Sequence, residues 1–260
     1  MAPEKLLKAL LIQVLYTIRS ERLLMERLSY TLLFRWFVGL SMDESAWVPT
    51  VYSKNRDRQD GGDQRSKDDP GNPTVDFRGE KRRNETHESA TDADSRLARK
   101  SGGHKAKLAY CGNVIIENRH GLVVDTELLQ CNGTAERDAA LLMVERLEGT
   151  QQVTVAADKG YDTQVREMRG MKATPHVSQN HKRAGGSAID GRTTRHAGYQ
   201  ISQRKRKRIE EVFGWMKTVG MLRKTRHRGV FKVGWVFTFA AAAYNLVRMR
   251  NLLSPTVQSA

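Results

Sequence analysis

The feature that most constrains the fold is a stretch in the middle of the chain that is poor in apolar residues. From Gln59 to Lys105 the sequence consists mainly of Gly, Asp, Ser, Lys, Arg and Asn. Such a stretch buries too little apolar surface to offset the conformational entropy that folding costs. We therefore expect a disordered polar linker at residues 59–105, between an N-terminal part at 1–58 and a C-terminal part at 106–250.

The N-terminal part has the apolar spacing of helices. Leucines and other apolar residues recur three and four positions apart, which predicts a helix over residues 3–19 and a second one from a Ser20 cap to a stop at Gly39. Ser41 and Glu44 have capping-box spacing, so a short third helix or turn follows, extending to about Arg58. We expect a small all-α module, which either binds DNA or serves only for packing.

The C-terminal part alternates strands with helices, which is typical of an α/β domain. An apolar run near the end is interrupted by Asn245 and is shorter than a bilayer span requires, so it predicts a core helix and no membrane segment. Thr134 is the expected N-cap of the first helix in this part. The predicted elements are a hairpin (109–116 and 122–129), a helix (135–147), a strand (151–157), a helix (163–169), a strand (174–177) and the apolar helix (231–247).

The charge of the chain points to a polyanionic partner. The net charge is +15, and between Arg204 and Arg228 ten Lys or Arg stand against two acids, more than ion pairing uses. We expect these cations to hold a nucleic-acid backbone in a salt-dependent way that does not read sequence. The candidate DNA-binding residues are Arg204, Arg206, Lys217, Arg223, Lys224, Arg226 and Arg228.

Two carboxylates have the positions that a phosphoryl-transfer site needs. Asp158 follows a predicted buried strand, where open α/β sheets place ligands, although it would equally serve as a helix cap. Glu210 lies on a cationic amphipathic helix, on one stripe with Arg206 and Lys217, although such a helix is also typical of a protein surface. Mg²⁺ or Mn²⁺ needs only one or two protein carboxylates besides substrate phosphates. A third carboxylate is usual, and Asp125 is the only strand-borne candidate.

Other titratable residues give weaker signals. The acids of the predicted linker, such as Asp92 and Asp94, are interpreted as solubilising. The histidines, among them His176, lack the spacing of metal ligands. The two cysteines, Cys111 and Cys131, are too few for a disulfide framework and are expected to be reduced.

Three segments together resemble the carboxyl-terminal half of bacterial insertion-sequence DDE transposases. They are Thr154 to Asp162 around Asp158, Ile189 to Tyr199, and Arg204 to Val219 around Glu210. The resemblance implies a ribonuclease H-like mixed sheet with flanking helices, preceded by the all-α module. It also implies that Asp158 is the second metal-binding aspartate and Glu210 the glutamate of the triad, with Glu211 as the alternative if the register differs by one. Arg206 and Lys217 match the family's arginine and lysine, whereas Gln203 stands where a tyrosine is expected.

The chain also departs from the family pattern. The strand and Asp-Gly-Thr-like motif that carry the first aspartate are absent from the interval between Arg58 and Asp76. We therefore expect an internal deletion and a shortened N-terminus, with the first strand and one metal ligand missing. The first hypothesis is a Mg²⁺- or Mn²⁺-dependent DNA transposase that cleaves and transfers strands at the inverted repeats ending its element, as a cytoplasmic homodimer. Its alternatives are a non-catalytic DNA-binding remnant, and a basic nuclease-like or RNA-binding protein in which the carboxylates are structural.

Overall fold

The computed structural model describes residues 2–41, 43–53, 76–77, 80–81, 84, 88–99, 106–147, 151–171 and 173–254. The chain divides into two compact units. The first comprises residues 1–72 and 214–227, and the second comprises residues 73–213 and 228–260. Each unit is described by itself.

The first unit is helical at its N-terminal end. Its helices are α1 (Pro3–Leu15), α2 (Glu21–Tyr30) and α3 (Leu32–Val38), followed by a helical segment at 49–53. Ser20 caps α2 as predicted, since its hydroxyl accepts from the Leu23 N–H at 3.2 Å, and Gly39 ends α3 in the left-handed conformation.

The predicted helix boundaries in this unit need two corrections. The helix expected from Ser20 to Gly39 is two helices, because Thr31 has an extended backbone (φ −98°, ψ 103°) that interrupts the ladder of hydrogen bonds. α1 ends before Thr17, which has a positive φ of 53° and cannot continue a right-handed helix. The Glu44 carboxylate pairs with Lys5 at 3.0 Å, besides its predicted approach to the Ser41 N–H at 3.4 Å. The predicted extension to Arg58 lies outside the described residues.

Antiparallel strands form the first sheets of the second unit. A ribbon joins β1 (Asp76–Phe77) to β2 (Glu80–Lys81), and a three-stranded sheet has the order β3 (Arg96–Ala98), β4 (Lys107–Ile116), β5 (Val123–Gln130). The predicted hairpin is therefore confirmed. Its turn is organised by Glu117, whose carboxylate accepts from three backbone N–H groups, and by Gly121 at φ 74°.

Two helices pack on this sheet. α4 (Ala135–Glu145) contacts β4 and β5, and Thr134 is its N-cap residue as predicted, but the capping acceptor is the Asn132 carboxamide. The predicted apolar helix forms as α9 (Val230–Leu253), which packs along β5. By length and composition α9 would also be able to cross a membrane. Its Asn245 side chain exchanges two 2.8 Å hydrogen bonds with the backbone of Val123, as expected of a helix that covers a sheet.

A parallel pair of strands carries the candidate site. β6 (Val153–Ala157) and β7 (Ala173–Val177) are joined by a 3-10 helix (Lys159–Gln164) and α5 (Val165–Gly170). The predicted α/β class, consistent with a ribonuclease H-like domain, is confirmed. In the described residues the antiparallel and parallel strands form separate sheets. A shared apolar cluster nevertheless packs side chains from both, with Val165, Met168 and Val177 fully buried within it.

A broken helical path follows β7. It consists of α6 (Gly191–Arg195), α7 (Ala197–Lys205), a 3-10 turn (Arg206–Arg208) and α8 (Ile209–Thr218), whose residues belong partly to each unit. The basic amphipathic helix expected around Glu210 is thus α8 together with the turn before it.

The prediction of a disordered linker at 59–105 is wrong for residues 88–99. β3 pairs with β4, and the Asp92 carboxylate accepts from the Tyr110 hydroxyl at 2.6 and 2.7 Å and from the Gly229 N–H at 3.2 Å. Asp94 accepts from the Val230 N–H at 2.9 Å. The two acids interpreted as solubilising therefore stabilise the N-terminus of α9, where the helix dipole favours negative charge. Residues 59–75 lie outside the described part of the chain.

Candidate active site

Asp158 lies directly after β6, at the carboxyl end of the parallel pair. Its Oδ1 accepts from the Gly160 N–H at 2.7 Å, which caps the 3-10 helix, and its side chain is exposed. No described residue donates a hydrogen bond to Oδ2 of Asp158. The capping role and the metal-ligand role are therefore compatible, because they use different oxygens.

Asp162 fixes the loop that faces this turn. The residue is fully buried, and its Oδ1 accepts from the Ser187 hydroxyl and from the Ala188 N–H, both at 3.0 Å. Arg183 donates to the Asp162 carbonyl at 3.1 Å. The basic loop after β7 is thus attached to the turn that carries Asp158. Sequence reasoning gave Asp162 no role, since an acid four residues after a candidate ligand has no distinctive pattern.

Hydrogen bonds join the end of β7 to α7. His176 is buried and its Nδ1 lies 2.8 Å from the Ser202 hydroxyl oxygen, while the Tyr199 hydroxyl donates to the Val177 carbonyl at 3.0 Å. Burial, together with the nearby His196, lowers the pKa of His176 below its usual value. A neutral His176 therefore belongs to the packing of α7 on the strand.

Gln203 extends this network to the candidate site. Its side-chain oxygen accepts from the Ser178 hydroxyl at 2.5 Å and from Arg206 Nε at 2.8 Å, and its Nε2 donates to the His176 carbonyl. Ser178 lies beside the end of β6, because its N–H donates to the Ala157 carbonyl at 3.1 Å. A continuous path of hydrogen bonds therefore leads from the residue before Asp158 to the Arg206 guanidinium.

Glu210 lies in the first turn of α8, four residues after Arg206, and its side chain is exposed. The 3-10 turn at Arg206–Arg208 advances each residue by about 120° instead of 100°, so Arg206 and Glu210 diverge more around the axis than the predicted α-helical stripe implies. Glu211 is exposed as well, so burial does not distinguish it from Glu210.

The strand-borne candidate for a third carboxylate is engaged elsewhere. Asp125 Oδ2 accepts from Arg146 Nε at 2.9 Å, and Arg146 also pairs with Glu127 at 2.6 Å. Among the described residues no group of three His, Cys, Asp or Glu side chains is arranged to hold a metal ion. Asp158 and Glu210 are exposed oxygen donors of the type that Mg²⁺ prefers, and one or two such ligands suffice when substrate phosphates supply the rest. Each side chain therefore has the donor chemistry of a ligand for a divalent ion that is held partly by substrate.

The candidate DNA-binding cations do not all have the same environment. Arg206 is oriented by Gln203, and Arg228 donates to the Thr91 carbonyl at 3.2 Å. By contrast, Arg208 lies in the same cationic run but donates to two carbonyls of the hairpin turn, at 3.1 and 2.8 Å, which makes it a structural residue. The remaining candidates have exposed side chains: Arg204, Lys217, Arg223, Lys224 and Arg226.

Comparison with known protein families gives two matches. Residues 1–58 match a transposase domain family (DUF772), and residues 82–246 match the transposase DDE domain family. No curated protein and no solved structure matches the chain. The second match covers more than half of the sequence and includes the β6 to α8 region just described. The chain therefore belongs to the insertion-sequence DDE transposases.

Proposed function

We propose that this transposase cleaves and joins DNA strands with Mg²⁺ or Mn²⁺, using Asp158 and Glu210 as metal ligands. The observation that carries the proposal is the path of hydrogen bonds from the end of β6 through Ser178 and Gln203 to Arg206. This path connects the end of β6, which Asp158 follows, with Arg206, the cation that would contact the reacting phosphate. A divalent ion bound there would polarise the phosphoryl group and activate the attacking water or 3′ hydroxyl.

The residues of the chain have separate roles in this reaction. Asp158 and Glu210 would hold the ion, while Arg206 and Lys217 would contact phosphates of the reacting strand. DNA binding follows from the family, and we assign it to the exposed cations, whose attraction to the backbone falls as salt rises. We further propose inverted repeats at the element ends as the substrate, a homodimer as the active form, and action in the cytoplasm on nucleoid DNA. We keep 1–58 as the helical module and assign both metal ligands to the second unit.

A second candidate function rests on the lack of a third metal-binding acid among the described residues. Asp125 is paired with Arg146, and the described residues contain no group of three acidic, histidine or cysteine side chains that could hold a metal ion. With one ligand fewer, the metal would be held weakly. The chain would then act as a DNA-binding protein that occupies element ends without cutting them, as the internal deletion proposed from the sequence also implies.

Nicking and strand transfer on DNA that carries the flanking ends of the element distinguish these functions. We compare the wild type with Asp158→Asn and Glu210→Gln, and use Glu145→Gln as the control because Glu145 is an exposed helical carboxylate outside the site. The catalytic proposal requires metal-dependent nicking in the wild type and the control, and its loss in both site variants. If all four proteins bind DNA and none nicks it, the second function holds. Equal displacement by RNA competitors would favour a general polyanion-binding protein.

A further inference from the structure

Two thiols meet in one cavity of the second unit. Cys111 lies on β4, and Cys131 follows the last residue of β5, where Tyr110 pairs with Gln130. Both cysteines are partly exposed, and they lie on the same face of the hairpin, because Cys131 comes two residues after Leu129, the partner of Cys111 in β5. The two side chains are therefore diagonal neighbours across the strand pair, and a disulfide requires the end of β5 to bring their Cα atoms to within about 6.8 Å.

The surroundings make the two thiols chemically unequal. Cys111 Sγ lies 3.6 Å from the donor Nδ2 of Asn113, which stabilises its thiolate. Interaction with the neighbouring Cys131, together with the Asn113 amide, lowers the pKa of Cys111, whereas interaction with Cys111 and burial raise the pKa of Cys131. A reactive thiolate beside a thiol that keeps its proton is the arrangement of an attacking and a resolving cysteine.

The cavity gives small molecules access to this pair. It has a volume of about 640 Å³, and both cysteines line it, together with Arg96, Arg99 and Arg137. A hydrogen peroxide molecule is far smaller than this space. The wall of the cavity also includes Gly160 and Tyr161, which follow Asp158 in the sequence.

We propose that Cys111 and Cys131 form a reversible intramolecular disulfide when the protein encounters a peroxide. The Cys111 thiolate attacks one oxygen of hydrogen peroxide, the O–O bond breaks, and a sulfenic acid and hydroxide form. The sulfur of Cys131 then displaces hydroxide from Cys111, so that the S–S bond forms as the S–O bond breaks. The protons of the two thiols leave in water, and the sum is two thiols plus one hydrogen peroxide giving one disulfide and two waters. Two electrons pass from the thiols to the peroxide.

This modification is independent of the proposed DNA chemistry, because it requires only the folded second unit. The closed bond would join the end of β5 to β4 at the wall shared with Gly160 and Tyr161. Oxidation of the two thiols would therefore form a covalent bond close to the turn that carries Asp158.

The test is peroxide titration of the full-length reduced protein, with thiol counting and mass mapping of linked peptides. The wild type should lose both thiols, yield a linked pair of peptides containing Cys111 and Cys131, and recover both thiols with dithiothreitol. In Cys131→Ser the reaction should stop at a sulfenic acid on Cys111 that dimedone traps. In Cys111→Ser the thiol should react about tenfold more slowly at pH 7, because an ordinary thiol is only a few per cent thiolate there.

Three outcomes would overturn the proposal. They are disulfides between separate chains, further oxidation of Cys111 in the wild type without a linked peptide, or an equal peroxide rate in Cys111→Ser. Peptide mapping uses only the wild type, so the decision does not depend on the folding of either variant.

Discussion

Removing the side chain of Gln203 tests whether this residue positions Arg206. Gln203→Ala eliminates the acceptor that Ser178 and Arg206 share, and the donor to the His176 carbonyl. Gln200→Ala is the matched control, because Gln200 is an exposed residue of the same helix α7. The control removes an amide without removing any hydrogen bond that the structure describes.

The expected loss of stability follows from the kinds of hydrogen bond involved. One bond involves a charged donor, worth roughly 1.5–3 kcal/mol, and the other two are neutral, at roughly 0.5–1.5 kcal/mol each. Gln203 is half-buried, so water replaces part of what is lost, and we expect about 2–3 kcal/mol for Gln203→Ala. In a unit of this size that lowers the melting temperature by about 5–10 °C, against no measurable change for Gln200→Ala.

Affinity for DNA separates positioning from simple stability. If Gln203 acts by positioning Arg206, removing the Gln203 side chain leaves the Arg206 guanidinium free to move. DNA binding must then order that guanidinium, which raises Kd roughly two- to tenfold. Arg206→Ala should cost at least as much, and the double variant Gln203→Ala/Arg206→Ala should bind no more weakly than Arg206→Ala alone. The Kd values of the wild type, the two single variants and the double variant are measured by fluorescence anisotropy. The salt concentration is fixed, and the temperature is kept below the lowest melting temperature of the four proteins. Additive losses in Kd would refute the reasoning, because they would mean that the two side chains act separately.

Two further perturbations test the packing around the site. Gly112→Ala should destabilise the second unit by about 1–3 kcal/mol in urea unfolding, because the new Cβ would lie 2.7 Å from the Phe237 ring. Gly170→Ala, which has nothing within 4 Å, should cost little, and equal losses would contradict that packing. Burial lowers the pKa of His176 in the folded state. Its contribution to the free energy of unfolding should therefore be fully present above about pH 6.5 and should be lost as the pH falls below that value. His176→Gln should remove part of that decline, and an unchanged slope would contradict the role assigned to His176.

The sequence was sufficient for the elements that depend on local signals. Apolar spacing predicted the helix that begins at Pro3, alternation predicted the hairpin β4–β5, and Ser20 and Gly39 marked helix ends. These signals are encoded within a few neighbouring residues, so they can be read without knowing the rest of the fold. The family could likewise be identified without the fold, because each of its motifs is a contiguous segment of the chain.

The sequence could not predict contacts between distant segments. Asp92 and Asp94 belong to a polar stretch, and only the docking of α9 turns them into caps of a helix whose first residue is Val230. The break at Thr31 was likewise missed, because the apolar pattern continues on both sides of it.

The sequence by itself determined the candidate ligands, the polyanionic partner and the class of fold, because residue type and local spacing encode them. Only the tertiary structure decided how these residues are supported. It brought Gln203 between Ser178 and Arg206, engaged Asp125 with Arg146, and placed Cys111 and Cys131 on one face of the hairpin. The physical reason is that hydrogen bonds and ion pairs act over a few ångströms, and the fold alone determines which residues distant in sequence come that close.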